Sequence, residues 1–245
     1  MSERIRLDLA LEARGLAQSR ARARDAILRG TVSVNGAIAK KPNQMVSASD
    51  TITIDDPAAH YVSRAALKLI AGLDAGGISP EGRTCLDVGS STGGFTQVLL
   101  ERGAAKIYAV DVGHDQLHKA VRDDPRVVSL EGTNVRDLDS GLIPEPIDLL
   151  VCDVSFVSVT KVLAAPLALC RKGAEAVILI KPQFEVGREH VGKGGIVTDA
   201  AAIAQARQGV TGFVTGEGWT LRTTIASPIA GGDGNRETVA VFAKG

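Results

Sequence analysis

The sequence is poor in the residues that build metal centres and disulfide frameworks. It has three cysteines and four histidines in 245 residues. Cys85, Cys152 and Cys170 lie far apart, and none belongs to a C-x-x-C pair. Each lies in or beside an apolar run, which is typical of reduced, buried thiols in a cytoplasmic protein. We therefore expect no bound metal and no disulfide-stabilised secreted domain.

Long apolar segments are also missing. The amino terminus, "MSERIRLDLALEARG", lacks the apolar core of a signal peptide, and no run approaches the ~18 residues that a membrane-spanning helix requires. Aromatic residues make up only 3% of the chain, and none is interleaved with the basic residues near the amino terminus, so base stacking is not indicated there. We expect no membrane-bound region and a cytoplasmic location.

The net charge is zero, but the charges are unevenly distributed. Residues 1–47 contain nine lysine and arginine residues and four acids. A basic end on a neutral protein indicates a surface that faces nucleic acid, although a solvated helix face would explain the charge as well. Arg20, Arg22 and Arg24 follow Ser19, a candidate helix cap. They would therefore surround the amino end of one helix, where backbone N–H groups favour phosphate.

Residues 1–56 predict a small α+β module, residues 57–62 a linker, and residues 63–245 a second domain. In the module, two short helices precede an alternating strand that runs into an Asn-Gly turn. The second domain begins with a helix over 63–77 capped by Ser63. Lys68 falls opposite the apolar face of this helix, so periodicity alone predicts a solvent-exposed lysine.

Strands and helices alternate from residue 84 onward, which predicts a mostly parallel, doubly wound sheet. The two last strands are joined only by a loop, so they must pair antiparallel or flank each other. The predicted strands are "TCLDV", "KIYAVDV", "RVVSL", "IDLLVCD", "AVILIK" and two near 219–226 and 237–243, and the predicted helices cover 93–102, 115–122, about 158–170 and about 199–215.

The turn "LDVGSSTGGF" joins the first strand of this sheet to its first helix, where α/β sheets bind nucleotides. Its spacing is D-x-G-x-x-x-G-G instead of the dinucleotide pattern G-x-G-x-x-G. Asp87 would disfavour a pyrophosphate but suit S-adenosylmethionine (SAM), which has no phosphate and carries two cationic groups. Asp111 ends the next strand, where a carboxylate can accept both ribose hydroxyls, and Asn134 would lie beside the adenine. An ordinary strand-helix turn and a helix cap remain the alternatives.

Two strand ends predict a catalytic pair. "ILIK" ends at Lys181 because Pro182 cannot extend a central strand, and the preceding strand ends at Asp153. Adjacent strands lie about 5 Å apart, so Lys181 and Asp153 should meet at the carboxyl edge of the sheet. Glu237 opens the last strand and would reach the same edge. Each residue taken alone also fits a strand-end salt bridge or a surface polar group.

These motifs together resemble the TlyA family, historically called hemolysins, in which an S4-type RNA-binding module precedes an FtsJ-like methyltransferase of Rossmann-like fold. "GLAQSRARARDAILRGTVSVNG" resembles the S4 pattern, and "VSRAALKL", "LDVGSSTGGFT", "CDVSF", "KPQFEVG" and "GNRE" resemble the methyltransferase. The resemblance implies SAM-dependent 2′-O-methylation of cytidine in ribosomal RNA.

The resemblance also implies roles for individual residues. The catalytic tetrad would be Lys68, Asp153, Lys181 and Glu237. The cofactor residues would be Asp87, Gly89, Ser90, Gly93, Gly94, Phe95, Asp111, Val112, Asn134 and Val135. The RNA-binding residues would be Arg4, Arg6, Arg20, Arg22, Lys40, Lys41 and Arg64. Lys181 would lie nearest the ribose hydroxyl, oriented by Asp153.

Two departures from relatives affect these expectations. The segment between the domains reads "AHYV", where some relatives have Arg-x-Trp-Val. The sequence therefore does not predict whether this segment couples RNA binding to cofactor affinity. The chain ends soon after Glu237, whereas relatives acting on both ribosomal subunits tend to be longer, so we expect large-subunit (23S) activity. A non-catalytic RNA-binding or assembly protein remains an alternative, and a cytolysin a weaker one. The sequence leaves the oligomeric state open, and a monomer fits it.

Overall fold

The computed structural model describes residues 4–232 and 234–245. The chain forms two compact units, Met1–His60 and Tyr61–Gly245. Within the described ranges, every helix is too short or too polar to cross a bilayer. All three cysteines are buried and carry free thiols, as their apolar surroundings predict.

The first unit packs two helices on short antiparallel strands. β1 pairs with β4, and β2 lies between β3 and β5 in a three-stranded sheet. Its core is formed by Leu7, Leu11 and Ile27 against the sheets. The elements are β1 (Ile5–Arg6), α1 (Leu7–Ala13), α2 (Arg20–Leu28), β2 (Val32–Val34), β3 (Ala37–Ile38), β4 (Met45–Val46) and β5 (Ile52–Ile54).

Two local predictions for this unit are confirmed. Ser19 caps α2, because its hydroxyl accepts a hydrogen bond from the Arg22 backbone N–H at 3.3 Å. Asn35 and Gly36 form the turn between β2 and β3 with φ angles of 52° and 81°. This left-handed backbone suits asparagine and glycine, and it matches the twist of the two strands.

The second unit is a seven-stranded sheet with helices on both faces. The strand order is β11-β12-β10-β9-β6-β7-β8. The elements are α3 (Ala66–Gly76), β6 (Thr84–Val88), α4 (Gly94–Glu101), β7 (Lys106–Asp111), α5 (Lys119–Arg122), β8 (Val127–Glu131), β9 (Ile147–Cys152), α6 (Ala164–Leu169), β10 (Cys170–Ile180), α7 (Pro182–Glu185), α8 (Ala200–Gly216), β11 (Trp219–Ala226) and β12 (Thr238–Lys244).

The sheet has the predicted doubly wound arrangement. Strands β6 to β10 are parallel, and β12 runs antiparallel between β10 and β11. The chain builds outward from β6 through β7 to β8 and then returns to place β9 on the other side of β6. This reversal opens a crevice at the carboxyl ends of β6 and β9, which is the usual ligand position in such sheets.

Four predicted boundaries are wrong, and one of them is the start of the helix expected over 115–122, which begins at Lys119. The helix that we expected over 63–77 begins at Ala66, and Ser63 instead accepts a hydrogen bond from the Ala65 backbone in the preceding turn. The helix expected over 158–170 is a 3₁₀ turn, Val159–Lys161, followed by α6. Strand β10 begins early, at Cys170, which already pairs with Ile147 of β9; the ladder then shifts register before Glu175, where Gly173 adopts a φ of 76°.

Helix α3 lies very close to the sheet. A Cβ atom at Gly72 would lie 2.5 Å from Val177 Cγ1 and 2.8 Å from Val239 Cγ1, so only glycine fits this position without movement. Leu69 and Leu73 are fully buried on the same helix. This contact fixes the height of α3 above β10 and β12, and Lys68 lies one helical turn before it.

Candidate active site

Lys181 directly follows the last residue of β10. Pro182 begins α7 directly after it and lacks the N–H that would continue the ladder. The side chain is 8% exposed, and its Nζ lies 2.7 Å from Asp153 Oδ1. Nζ also donates a hydrogen bond to Ser155 Oγ at 2.7 Å. The lysine therefore has two partners from the segment that follows the neighbouring strand.

Asp153 is held at the adjacent strand end. Its backbone N–H donates to the Val88 carbonyl of β6 at 3.0 Å, which ties it to the crevice between β6 and β9. Its second carboxylate oxygen lies 3.8 Å from Lys68 Nζ. Asp153 therefore interacts with two lysines that come from opposite parts of the second unit.

Lys68 is buried, so its expected solvent position is wrong. Its Nζ lies 2.6 Å from Glu237 Oε2, and the two side chains are 8% and 2% exposed. Helical periodicity could not predict the burial of Lys68, because its polar partners at the sheet edge, Glu237 and Asp153, are remote in sequence.

The four side chains form one chain of charges in the order Glu237, Lys68, Asp153, Lys181. Two carboxylates balance two ammonium groups, which makes their joint burial tolerable. Of the described residues, Asp153 and Lys181 line a cavity of about 160 Å³, whereas Lys68 and Glu237 are absent from its wall. Lys181 is thus the cation at the open end of the network, and Lys68 and Glu237 lie behind it.

A larger cavity of about 510 Å³ adjoins the smaller one. Both walls include Gly89, Ser91, Asp153 and Ser155, so the two cavities meet at the carboxyl ends of β6 and β9. The larger cavity also extends along the segments after β7 and β8. Their combined lining includes the apolar side chains of Val112 and Val135 at one part and the polar groups of Ser90 and Lys181 at another.

Eight of the ten predicted cofactor residues line these cavities. Asp111 lies at the end of β7, where its carboxylate accepts hydrogen bonds from the Ser91 and Gly113 backbone N–H groups, both at 2.8 Å. Asn134 caps a 3₁₀ turn by accepting from the Arg136 N–H at 3.1 Å. The larger cavity contains Gly89, Asp111, Val112, Asn134 and Val135, and the smaller one contains Gly89, Ser90, Gly94 and Phe95.

Asp87 and Gly93 lie outside both cavity walls. Asp87 is fully buried beneath the glycine turn, where Oδ2 accepts a hydrogen bond from Thr96 Oγ1 at 2.6 Å. Burial raises the pKa of Asp87 to about 7, and the negative charges of Asp153 and Asp111 contribute to the increase. Gly93 has a φ of 95° at the start of α4, a left-handed conformation that favours glycine, so the backbone of the turn requires a glycine here.

The sequence did not predict two residues that lie beside Asp153 and Lys181. Phe156 is 91% exposed and adopts a φ of 67°, and its ring centroid lies 5.4 Å from that of Phe184. Aromatics interleaved with basic residues are the usual sequence signal for base stacking, and Phe156 instead follows a strand end. Ser155, the hydroxyl partner of Lys181, carried no signal beyond its place in "CDVSF".

The loop after β9 is fastened to α7 by Glu185. Its carboxylate accepts hydrogen bonds from Ser158 Oγ at 2.7 Å and from the Val159 N–H at 2.8 Å. Since α7 directly follows Lys181, this contact fixes the segment carrying Ser155 and Phe156 relative to the lysine.

The predicted RNA-binding residues differ in their surroundings. Arg4, Lys40 and Lys41 are exposed in the first unit. Arg6 and Arg20 form ion pairs with the buried Asp8. Arg22 donates to the Ala58 carbonyl at 3.0 Å, so it does not simply point outward from α2 as expected. Arg64 is half-buried in the second unit.

Comparisons with known proteins match both units. The model of the FtsJ-like methyltransferase family matches residues 61–244, and the S4 domain model matches residues 5–52. The 16S/23S rRNA (cytidine-2′-O)-methyltransferase TlyA of Mycobacterium tuberculosis is 45% identical over 97% of this chain and 89% of its own length. The 23S rRNA (cytidine-2′-O)-methyltransferase TlyA of Campylobacter jejuni is 41% identical over 80% of this chain and 76% of its own.

A solved structure is similar over the full length of this chain. The protein from Streptococcus thermophilus, described as a hemolysin, is 35% identical with a TM-score of 0.76, covering all of this chain and 90% of the other. The chain therefore belongs to the TlyA family, in which an S4 domain precedes an FtsJ-like methyltransferase domain.

Proposed function

We propose that this protein is a SAM-dependent methyltransferase that modifies the ribose 2′-hydroxyl of cytidine in ribosomal RNA. The observation that carries the proposal is the buried charge network, whose open end, Lys181, lies in a cavity beside the glycine turn. The printed names of the relatives from M. tuberculosis and C. jejuni support the same substrate class. An enzyme of this substrate would act in the cytoplasm, where ribosomes are assembled.

The residues of the two cavities fit SAM. The Asp111 carboxylate suits a ribose diol, and the apolar wall with Val112 and Val135 suits an adenine ring. Ser90 Oγ is buried and has no hydrogen-bond partner among the described residues, so a polar ligand group would satisfy it. When bound, SAM supplies an electrophilic methyl group on a sulfonium. Asp87 and Gly93 would support the turn from below.

Lys181 would act on the ribose hydroxyl. Its Nζ either accepts the hydroxyl proton or stabilises the negative charge that develops on oxygen as the proton leaves. Asp153 and Ser155 fix the position of Nζ, which matters because methyl transfer requires a linear approach of the oxygen. Lys68 and Glu237 would hold Asp153 in place from behind.

Phe156 would receive the target base. Its exposed ring lies in the wall of the larger cavity, three residues after Asp153. Stacking on an exposed aromatic side chain stabilises a base that has left its helix, which a ribose in folded RNA requires to reach a recessed site. The exposed basic residues Arg4, Lys40 and Lys41 would bind RNA backbone.

The subunit is part of the proposal. We propose the large subunit as substrate, which the printed name of the C. jejuni relative supports because it gives 23S rRNA alone, whereas that of the M. tuberculosis relative also includes 16S rRNA. The test is incubation with radiolabelled SAM and separated, undermethylated large and small subunits. Label in large-subunit RNA alone supports the proposal, and label in both subunits refutes the restriction.

The control for this test is Lys172→Ala. Lys172 is exposed in the first part of β10, far along the strand from Lys181, so its removal should leave transfer unchanged, while Lys181→Ala should slow transfer by about 10²-fold or more. SAM binding without transfer to either subunit would instead favour the non-catalytic RNA-binding alternative.

A further inference from the structure

A fully buried carboxylate lies among the basic residues of the first unit. Asp8 is 0% exposed in the first turn of α1. Its Oδ1 accepts hydrogen bonds from Arg6 Nε at 2.9 Å and from the Leu9 N–H at 3.1 Å. Its Oδ2 accepts from Arg6 Nη2 at 2.9 Å and from Arg20 Nε at 3.1 Å. Both oxygens are therefore fully engaged.

The two arginines reach Asp8 from different elements. Arg6 lies in β1, and Arg20 is the first residue of α2. Their side chains remain 38% and 51% exposed, so each guanidinium has one side against the carboxylate and another toward solvent. Each guanidinium has five N–H donors, and Asp8 occupies two on Arg6 and one on Arg20. The remaining donors have no partner among the described residues.

Asp8 makes this arrangement electrostatically possible. Two guanidinium cations that share one carboxylate oxygen would repel each other without it, and with it the group retains a net charge of plus one. The hydrogen bonds from Arg6 and Arg20 lower the pKa of Asp8 to about 2, so the carboxylate stays ionised at neutral pH.

We propose that Asp8 is a positioning residue for RNA binding, which holds Arg6 and Arg20 side by side so that their outward N–H groups bind a phosphate of the RNA backbone. Two preordered guanidinium groups lose less side-chain freedom on binding than two independent ones, and arginine binds phosphate through paired N–H groups. The inference rests on the proposed binding of ribosomal RNA.

The direction in which one substitution changes RNA affinity distinguishes this role from a simple effect of net charge. Asp8→Asn adds one positive charge to a basic surface, which by charge alone should strengthen RNA binding. If Asp8 positions the arginines, the same change should weaken it. Glu12→Gln is the matched control, because Glu12 is an exposed acid on the same helix and its loss adds the same charge.

The experiment measures binding of the full chain to undermethylated large ribosomal subunits across a salt series. We expect Asp8→Asn to weaken binding about 10-fold and to reduce the salt slope by about 1, with Glu12→Gln unchanged or slightly tighter. In methylation assays KM for the subunit should rise while kcat stays unchanged. In a background of Arg6→Gln and Arg20→Gln, Asp8→Asn should have no further effect.

Several outcomes would overturn the inference. The positioning role is refuted if a folded Asp8→Asn protein binds the subunit as tightly as the wild type or more tightly, while Arg6→Gln and Arg20→Gln weaken binding. If those arginine variants bind normally, the proposed RNA contact through this surface fails as well. If Asp8→Asn does not fold, Arg20→Lys replaces it, because lysine keeps the positive charge but lacks the paired N–H donors of the guanidinium. Unchanged RNA affinity of that variant would contradict the positioning role.

Discussion

At the scale of single residues, the ion pairs at the sheet edge determine what the site can do. Lys181 faces the cavity, whereas Lys68 and Glu237 are held behind it, 2.6 Å apart. We therefore expect substitutions of Lys181 to affect mainly catalysis, and substitutions of Lys68 or Glu237 to affect stability as well.

Lys181→Ala should reduce the rate of methyl transfer by about 10²- to 10⁴-fold, the usual contribution of a group that handles the reacting proton. SAM affinity, measured by calorimetry, should change little, because most of the proposed cofactor wall remains. A variant with most of its activity and normal SAM binding would show that Lys181 is only a strand-end partner of Asp153.

Glu237→Gln should destabilise the second unit by about 3–5 kcal/mol, since it leaves the buried Lys68 ammonium without its 2.6 Å partner. Adding Lys68→Met should restore much of that stability without restoring activity. Chemical denaturation and methylation assays on the same preparations test both statements. Normal activity in the double variant would exclude a catalytic function for the rear pair.

Asp87 should make stability depend on pH. Its folded-state pKa of about 7 lies above the ordinary value of 3.8. The folded protein therefore holds this proton more strongly, and stability falls as pH rises from about 4 to 7, by up to about 4 kcal/mol. Asp87→Asn should remove that fall. The free energy of unfolding of the wild type and of Asp87→Asn, measured without cofactor at pH 5 and pH 8, tests this prediction. An equal change with pH in the two proteins would contradict it.

At the scale of secondary structure, the position of α3 decides whether Lys68 reaches its partners. Much of this level follows from pattern: β6 and β11 have their predicted bounds, and the Asn-Gly turn forms where expected. The start of α3 and the burial of Lys68 do not follow from pattern, because they depend on contacts with β12 and the segment before it, more than 150 residues away.

Gly72→Ala should therefore move the site as well as strain the core. The added methyl group would meet Val177 and Val239, at a cost of about 1–3 kcal/mol, and α3 would shift away from the sheet with Lys68. We expect kcat to fall while RNA affinity is unchanged. Gly209→Ala in α8 is the control, since its Cβ would meet no atom within 4 Å and should stabilise the helix slightly. Equal behaviour of the two variants would disprove the coupling.

At the scale of the whole molecule, the fold class was predictable and the chemistry only partly so. The alternation of strand and helix specifies the doubly wound sheet, and strand ends are placed together by the topology, which is why the meeting of Lys181 and Asp153 could be derived. Phe156, Ser155 and the Asp8 contacts required three-dimensional structure, because backbone strain, exposure and ion pairing between elements leave no periodic pattern in a sequence.

In the proposed reaction, Lys181 assists methyl transfer to a ribose hydroxyl. The most direct test is nucleoside mass spectrometry of undermethylated large-subunit RNA after incubation with SAM and either the wild type or Lys181→Ala. We predict 2′-O-methylcytidine with the wild type and at least about 10²-fold slower formation with the variant at equal SAM occupancy. Methylation on a base would contradict transfer to the ribose, and equal 2′-O-methylcytidine from both proteins would contradict the participation of Lys181.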